Sequence, residues 1–182
     1  MSQALPKSAP FAPQLQLVVR PEWYAVYTHA RHEKKVAQQL LERGIEHFLP
    51  VYRSTRLWKD RRKELNLVLF PGYVFTRIDM GEKLRVLQLP GVVHFVSFNG
   101  QPMALAGDDL EALRNALHQG LRAEHHPYLT EGRRVKVVRG PLAGARGVLQ
   151  RFKTNCRIVI SIDAIMRSVS VEIDESDVEA VF

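Results

Sequence analysis

A chain of 182 residues, 46% hydrophobic and 25% charged, has room for one medium domain or two small ones and the composition of an ordinary soluble protein. No apolar run approaches 18 residues and the first twenty carry no apolar h-region, so neither a membrane span nor export is expected, and the expected compartment is cytoplasmic. The net charge of +7 favours an anionic partner without identifying one.

Residues 1–20 hold Pro6, Pro10 and Pro13 among Ser, Gln and Ala, too few apolar groups to offset chain entropy, and are read as a disordered tail. From Glu22 the pattern changes. Trp23-Tyr24-Ala25-Val26-Tyr27-Thr28 is rich in strand formers and predicts a first strand. A helix follows, with Val36, Ala37, Leu40 and Leu41 on one apolar face, charged residues from Arg31 to Lys35 at its start and Gly44 as its stop.

Residues 45–52 are apolar with Pro50, which suits an edge strand. They lead into the densest charge in the chain: Arg53, Arg56, Lys59, Arg61, Arg62 and Lys63 stand against Asp60 alone, with Trp58 among them. Two readings fit a hairpin arm of this kind. Its cations could neutralise nucleic-acid phosphates with Trp58 stacking on a base, or it is a solvated tip.

The stretch 67–75, Leu-Val-Leu-Phe-Pro-Gly-Tyr-Val-Phe, is almost wholly apolar, yet Pro71 and Gly72 interrupt it. We expect one strand with a bulge or bend there. Such a bend re-aims the flanking rings, so either Phe70 and Tyr73 emerge together on one exposed face as a docking surface, or the stretch is a buried strand with a core Phe and a satisfied Tyr. A short helix over 81–87, a turn at Pro90-Gly91, a strand over 92–98 and a tight turn at Asn99-Gly100 come next. Asp108, with Glu111 three residues on, is expected to cap a third helix whose Leu110, Leu113 and Leu117 share a face and which Gly120 ends.

Strands and helices thus alternate over 21–120 around one sheet, an α+β arrangement. Residues 121–129, with His125-His126-Pro127, lose periodicity and are read as a linker. After it the period becomes two, and 133–139, 146–152, 156–163, 167–173 and 178–182 are five short strands, the density of a small closed β-barrel over 130–182. Ile158, Ile160, Ile162, Val169, Val171 and Ile173 would form a single core face. Cys156, the one cysteine, falls in such a strand and is read as a small buried hydrophobe rather than a nucleophile. The barrel is polarised, with seven cations against one acid in 127–156 and two against six in 157–182.

Trp23-Tyr24-Ala25-Val26, Phe70-Pro71-Gly72-Tyr73-Val74, Pro90-Gly91-Val92 and the loop Gly140-Pro141-Leu142-Ala143-Gly144-Ala145-Arg146-Gly147, in this order, resemble the NusG family of transcription elongation factors. The resemblance covers about 21–182 and implies an N-terminal NGN domain, an antiparallel sheet flanked by helices, followed by an SH3-like KOW barrel. The ending from Arg167 to Asp174 is more similar to the specialised RfaH and UpxY-type members. The family implies further that Phe70, Tyr73 and Trp23 belong to a hydrophobic patch for the β′ clamp helices of RNA polymerase. In specialised members, non-template DNA is touched at positions matching Tyr27, His29 and Lys35. Arg61, Arg62 and Lys63 of the basic arm are further nucleic-acid candidates. A Thr-rich stretch that meets the polymerase β subunit in RfaH falls near 82–85, where threonines are absent. The KOW barrel would recruit a NusE-type ribosomal protein or Rho through its tip at Ala164-Ile165-Met166-Arg167, with Ile165 and Met166 as an exposed apolar knob.

No catalytic or metal constellation is legible: His29-x-x-His32 and His125-His126 lack further ligands at metal spacing, and no phosphate-loop, dinucleotide or nucleophile signature is present. The expected function is a non-enzymatic, cofactor-free regulator that bridges the polymerase cleft and suppresses pausing or termination. The alternative is an RNA-binding or ribosome-associated module that uses the basic side of the barrel.

Overall fold

The computed structural model describes residues 20–58, 61–126, 132–151 and 156–181, with side chains throughout except at 55–58, 61–63, 125, 133, 151 and 175. The tail reading for 1–19 and the reading of 127–131 lie outside these residues.

β1 (Glu22–Thr28) is the centre of the first domain, because its apolar residues face both ways. α1 (Glu33–Glu42) and β2 (Glu46–Phe48) follow, then a long ribbon of β3 (Val51–Trp58) and β4 (Arg61–Val68), and then β5 (Tyr73–Ile78). A 3₁₀ turn at Met80–Glu82 runs into α2 (Lys83–Leu87), and β6 (Val92–Phe95), β7 (Ser97–Phe98), β8 (Gln101–Pro102) and β9 (Ala104–Leu105) lead to α3 (Gly107–His118). The sheet is antiparallel in the order β2-β5-β1-β6, with β9 pairing the start of β1. Tyr24 and Val26 of β1 pack with Val74 and Phe95 beneath Val36 and Leu40 of α1 and Val86 of α2. The other face sets Trp23 and Ala25 with Phe48 and Phe75 in the core that holds Leu110 and Leu113 of α3. Each such large apolar side chain contributes about 1.5–3 kcal/mol by leaving water.

Several local expectations are met and several are corrected. Gly44 stops α1 at φ +66, with Ile45 N donating to Leu40 O at 2.9 Å, and Asn99 and Gly100 both take positive φ between β7 and β8. Leu41, expected on the buried face of α1, is 62% exposed, since that face narrows to Val36, Ala37 and Leu40. The stretch 67–75 is two strands in two sheets. β4 ends at Val68, and Phe70-Pro71-Gly72-Tyr73 closes a turn through Tyr73 N to Phe70 O at 3.1 Å, with Gly72 at φ +87. Proline second and glycine third fit a type II turn, which reverses the chain instead of bulging it. The strand expected over 92–98 likewise breaks at Val96 into β6 and β7. Asp108 does not cap α3; the cap position is Ala106, two residues earlier, and Asp108 and Asp109 lie in the first turn, where carboxylates complement the helix dipole.

The second unit is a six-stranded antiparallel sheet in the order β10-β14-β13-β12-β11-β15, formed by β10 (Ala123–His126), β11 (Arg133–Val137), β12 (Arg146–Arg151), β13 (Cys156–Ile162), β14 (Arg167–Ile173) and β15 (Val178–Ala180). The five predicted strands are present. β10 corrects the linker: Ala123 to His126 pair with Val171 to Ser168 of β14, so much of the expected connection is barrel. The single-core-face expectation is also corrected. Ile158, Ile160, Val169 and Val171 are buried, and so are Val159, Ser168 and Ser170, which alternate with them.

Candidate functional site

Strand register, rather than the bend at Pro71, gathers the exposed rings of the first domain. Tyr27 of β1 lies opposite Tyr73 of β5 and opposite His94 of β6, so three rings form one row across the sheet. Their centroids are 5.4 Å apart for Tyr27 and Tyr73 and 5.2 Å apart for Tyr27 and His94. Alternation places this row on the same face as Trp23, Ala25 and Phe75. There the core cluster takes in Trp23, Ala25 and Phe75 with residues of α3, while Tyr27 is 39% exposed, His94 exposed and Tyr73 half-buried.

Phe70 and Trp23 stand differently. Phe70 is fully buried with its ring edge-on to Phe75 at 5.7 Å, so the expectation of an exposed Phe70 and Tyr73 pair is corrected: the type II turn sends one ring inward and the other to the row. Trp23 is 4% exposed, packed beside Gly107 at the start of α3 with Arg114 over its ring at 5.8 Å. Both side chains are core in this structure.

Beside the row lies the start of α1. His29 N donates to Gly91 O at 2.8 Å, the His29 and His32 rings are 5.9 Å apart, and a Cβ on Gly91 would stand 3.1 Å from His32, so the Pro90-Gly91 turn packs directly on this end of the helix. His29, Arg31, Lys34 and Lys35 are exposed. Lys34 Nζ donates to Asn66 O at 2.9 Å, tying α1 to the base of the β3–β4 ribbon. The side chains of Arg61, Arg62 and Lys63 lie outside those described; their backbone continues β4 opposite Trp58, Leu57 and Arg56.

At the barrel tip the expected knob divides. Ile165 is 6% exposed and belongs to the core, whereas Met166, at φ +49 between β13 and β14, is 66% exposed. The short 3₁₀ turn Asp163–Ile165 folds Ile165 back under the sheet, which leaves one apolar side chain at the tip.

Sequence reasoning missed His94 and Glu33. His94 is legible only through register with Tyr27; Glu33 is 6% exposed and accepts from Gly72 N at 2.7 Å, a contact across 39 residues of chain. It also missed Asp109, whose Oδ1 accepts from Arg146 N at 2.9 Å between α3 and the barrel. Burial raises the Asp109 carboxyl above its ordinary value, against the smaller opposing effects of the Arg146 N–H and charge. Among the described residues no three His, Cys, Asp or Glu side chains converge as a metal site, and no helix is long and apolar enough to cross a membrane.

An α+β domain with an uncovered aromatic row, followed by a small β-barrel, defines a two-domain NGN–KOW protein. The family described as transcription termination factor nusG matches residues 21–114, and the chain belongs to this NusG family. Transcription termination/antitermination proteins NusG of Pseudomonas aeruginosa and Thermus thermophilus are each 27% identical to it, covering 87% and 86% of this chain and 98% and 97% of their own. That of Deinococcus radiodurans is 28% identical, over 86% and 97%. Among solved structures, one titled for domain interaction in Thermotoga maritima NusG matches with a TM-score of 0.51 at 24% identity, covering 90% of this chain and 98% of that one, a likeness of fold.

Proposed function

We propose that the protein is a transcription elongation factor and antiterminator of the specialised RfaH or UpxY type. It binds RNA polymerase through its first domain, which spans about 21–120, and suppresses pausing or termination without catalysing a reaction. The observation that carries this reading is the Tyr27–Tyr73–His94 row, an aromatic surface left open on the sheet face where Trp23, Ala25 and Phe75 are buried, within the residues that match the family. Aromatic rings at the centre of a contact are the usual anchors of protein interfaces, and the β′ clamp helices are the proposed partner. Phe70 and Trp23 act from beneath, as the packed support of the row. His29, Lys35 and the basic β3–β4 ribbon with Arg61, Arg62 and Lys63 meet nucleic acid, the non-template strand first. The barrel recruits a NusE-type ribosomal protein or Rho through Met166.

The test is recovery of polymerase by the purified protein after nuclease treatment, compared with the double variant Tyr27→Ala with Tyr73→Ala. Loss of at least ~10-fold in affinity with native circular dichroism supports the assignment. Equal affinity, or loss of polymerase on nuclease treatment with ribosomal RNA recovered from the untreated extract, rejects it in favour of an RNA-binding module.

A further inference from the structure

Glu33 is a carboxylate in the first turn of a surface helix, a position that ordinarily faces water, yet it is 6% exposed. A carboxylate leaves water at a cost unless a donor meets it. Here the donor is the backbone N–H of Gly72, at 2.7 Å. The carbonyl of the same residue is held by β1: Gly72 O accepts from Thr28 N at 2.8 Å and from Thr28 Oγ1 at 3.3 Å, and Thr28 is 1% exposed. One glycine is therefore fastened at its N–H by α1 and at its carbonyl by β1.

What this glycine touches gives the fastening a purpose. Gly72 sits at φ +87 directly before Tyr73, and a Cβ added to it would stand 3.1 Å from Cε2 of Tyr27. The turn thus supplies the floor on which the Tyr27 ring lies and the launching point of the Tyr73 ring. The helix that carries Glu33 also follows His29 and His32 and carries Lys35. We propose that Glu33 is the positioning residue of the polymerase-binding surface, fixing the Tyr27 and Tyr73 rings through Gly72 and holding that surface in register with the basic start of α1. This rests on the reading of the aromatic row given above.

A second role for an acid at this position is to complement the helix dipole through its charge alone. Glu33→Gln separates the two, because the amide oxygen still accepts from Gly72 N while the charge is gone. Glu33→Ala removes both. We expect Glu33→Ala to move the Tyr27 and Tyr73 ring resonances in NMR spectra of the full chain and to weaken polymerase binding by ~10-fold, and Glu33→Gln to leave both close to the parent. Thr28→Val, which removes only the hydroxyl donor to Gly72 O, should move the same resonances by less and serves if Glu33→Ala does not fold. Unmoved tyrosine rings in Glu33→Ala, or a Gln variant as impaired as the Ala variant, overturn the proposal. The ring resonances need no polymerase, so failure here is distinguishable from failure of the polymerase reading, which the Tyr27→Ala with Tyr73→Ala variant tests by itself.

Discussion

Two residues separated by a Pro-Gly pair, Phe70 and Tyr73, carry opposite duties, and their substitution should separate stability from binding. Phe70 is enclosed against Phe75, so Phe70→Ala leaves a cavity and is expected to lower unfolding free energy in urea by about 3–5 kcal/mol. Tyr73→Ala removes a half-buried ring at the open row. It should cost far less stability and weaken polymerase binding by about 2 kcal/mol, measured by titration of labelled protein into polymerase. A Phe70 variant of native stability would contradict its core placement. The aromatic content of this motif was legible in the sequence, but the division of labour was not, because the Pro-Gly pair was open to reading as a bulge and only the turn hydrogen bond assigns each ring its side.

At the scale of elements, the β12–β13 pair depends on Gly147. A Cβ there would stand 2.4 Å from Val159 O and 3.0 Å from the Val159 carbonyl carbon, atoms of the backbone that cannot swing aside. Gly147→Ala is expected to push the two strands apart and lower the thermal midpoint of the barrel by several degrees or more, while Gly144→Ser, whose Cβ would meet nothing within 4 Å, bears only the strain of its φ of +96. The β3–β4 ribbon makes a separate prediction. If its cations meet phosphates, neutralising Arg61, Arg62 and Lys63 lowers the slope of log affinity against log salt for an elongation complex, and an unchanged slope makes the arm a solvated tip. The loop from Gly140 to Gly147 holds three glycines, each at a position that needs either positive φ or a close backbone approach. Which need applies to which is decided by neighbours: Gly140 and Gly144 have positive φ, whereas Gly147 is a close approach.

Across the whole molecule, the apolar core of the first domain continues into the barrel, and Leu121 lies beside Pro141 and Leu142 while Asp109 meets Arg146. Since burial raises the Asp109 carboxyl, the packed arrangement binds its proton more readily than the open one. Its burial therefore leaves the seam unopposed below the ordinary carboxylate value of 3.8 and opposes it increasingly as pH rises through the raised value. Amide exchange at Arg146, corrected for intrinsic rate, should be slower in mild acid than at neutral pH, and Asp109→Asn should flatten that difference. At the far end of the barrel, Met166→Asp is expected to abolish recruitment of a NusE-type partner with the barrel intact, whereas Ile165→Asp should unfold it; partner binding unaffected by Met166→Asp moves the contact elsewhere.

The sequence by itself determined the α+β domain followed by a barrel, the first strand, the helix stop at Gly44, the five alternating strands over 133–182 and the aromatic residues around Pro71-Gly72. These are set by local period and by backbone chemistry that glycine and proline impose within a few residues. Only the tertiary structure decided that 67–75 serves two sheets, that Ala123 to His126 join the barrel, that Phe70, Trp23 and Ile165 are covered while Met166 is not, and that His94 and Glu33 belong with Tyr27 and Gly72. The physical reason is that burial and register are properties of what lies across from a residue, and here those neighbours are far apart along the chain, 67 positions for Tyr27 and His94 and 91 for Trp23 and Arg114.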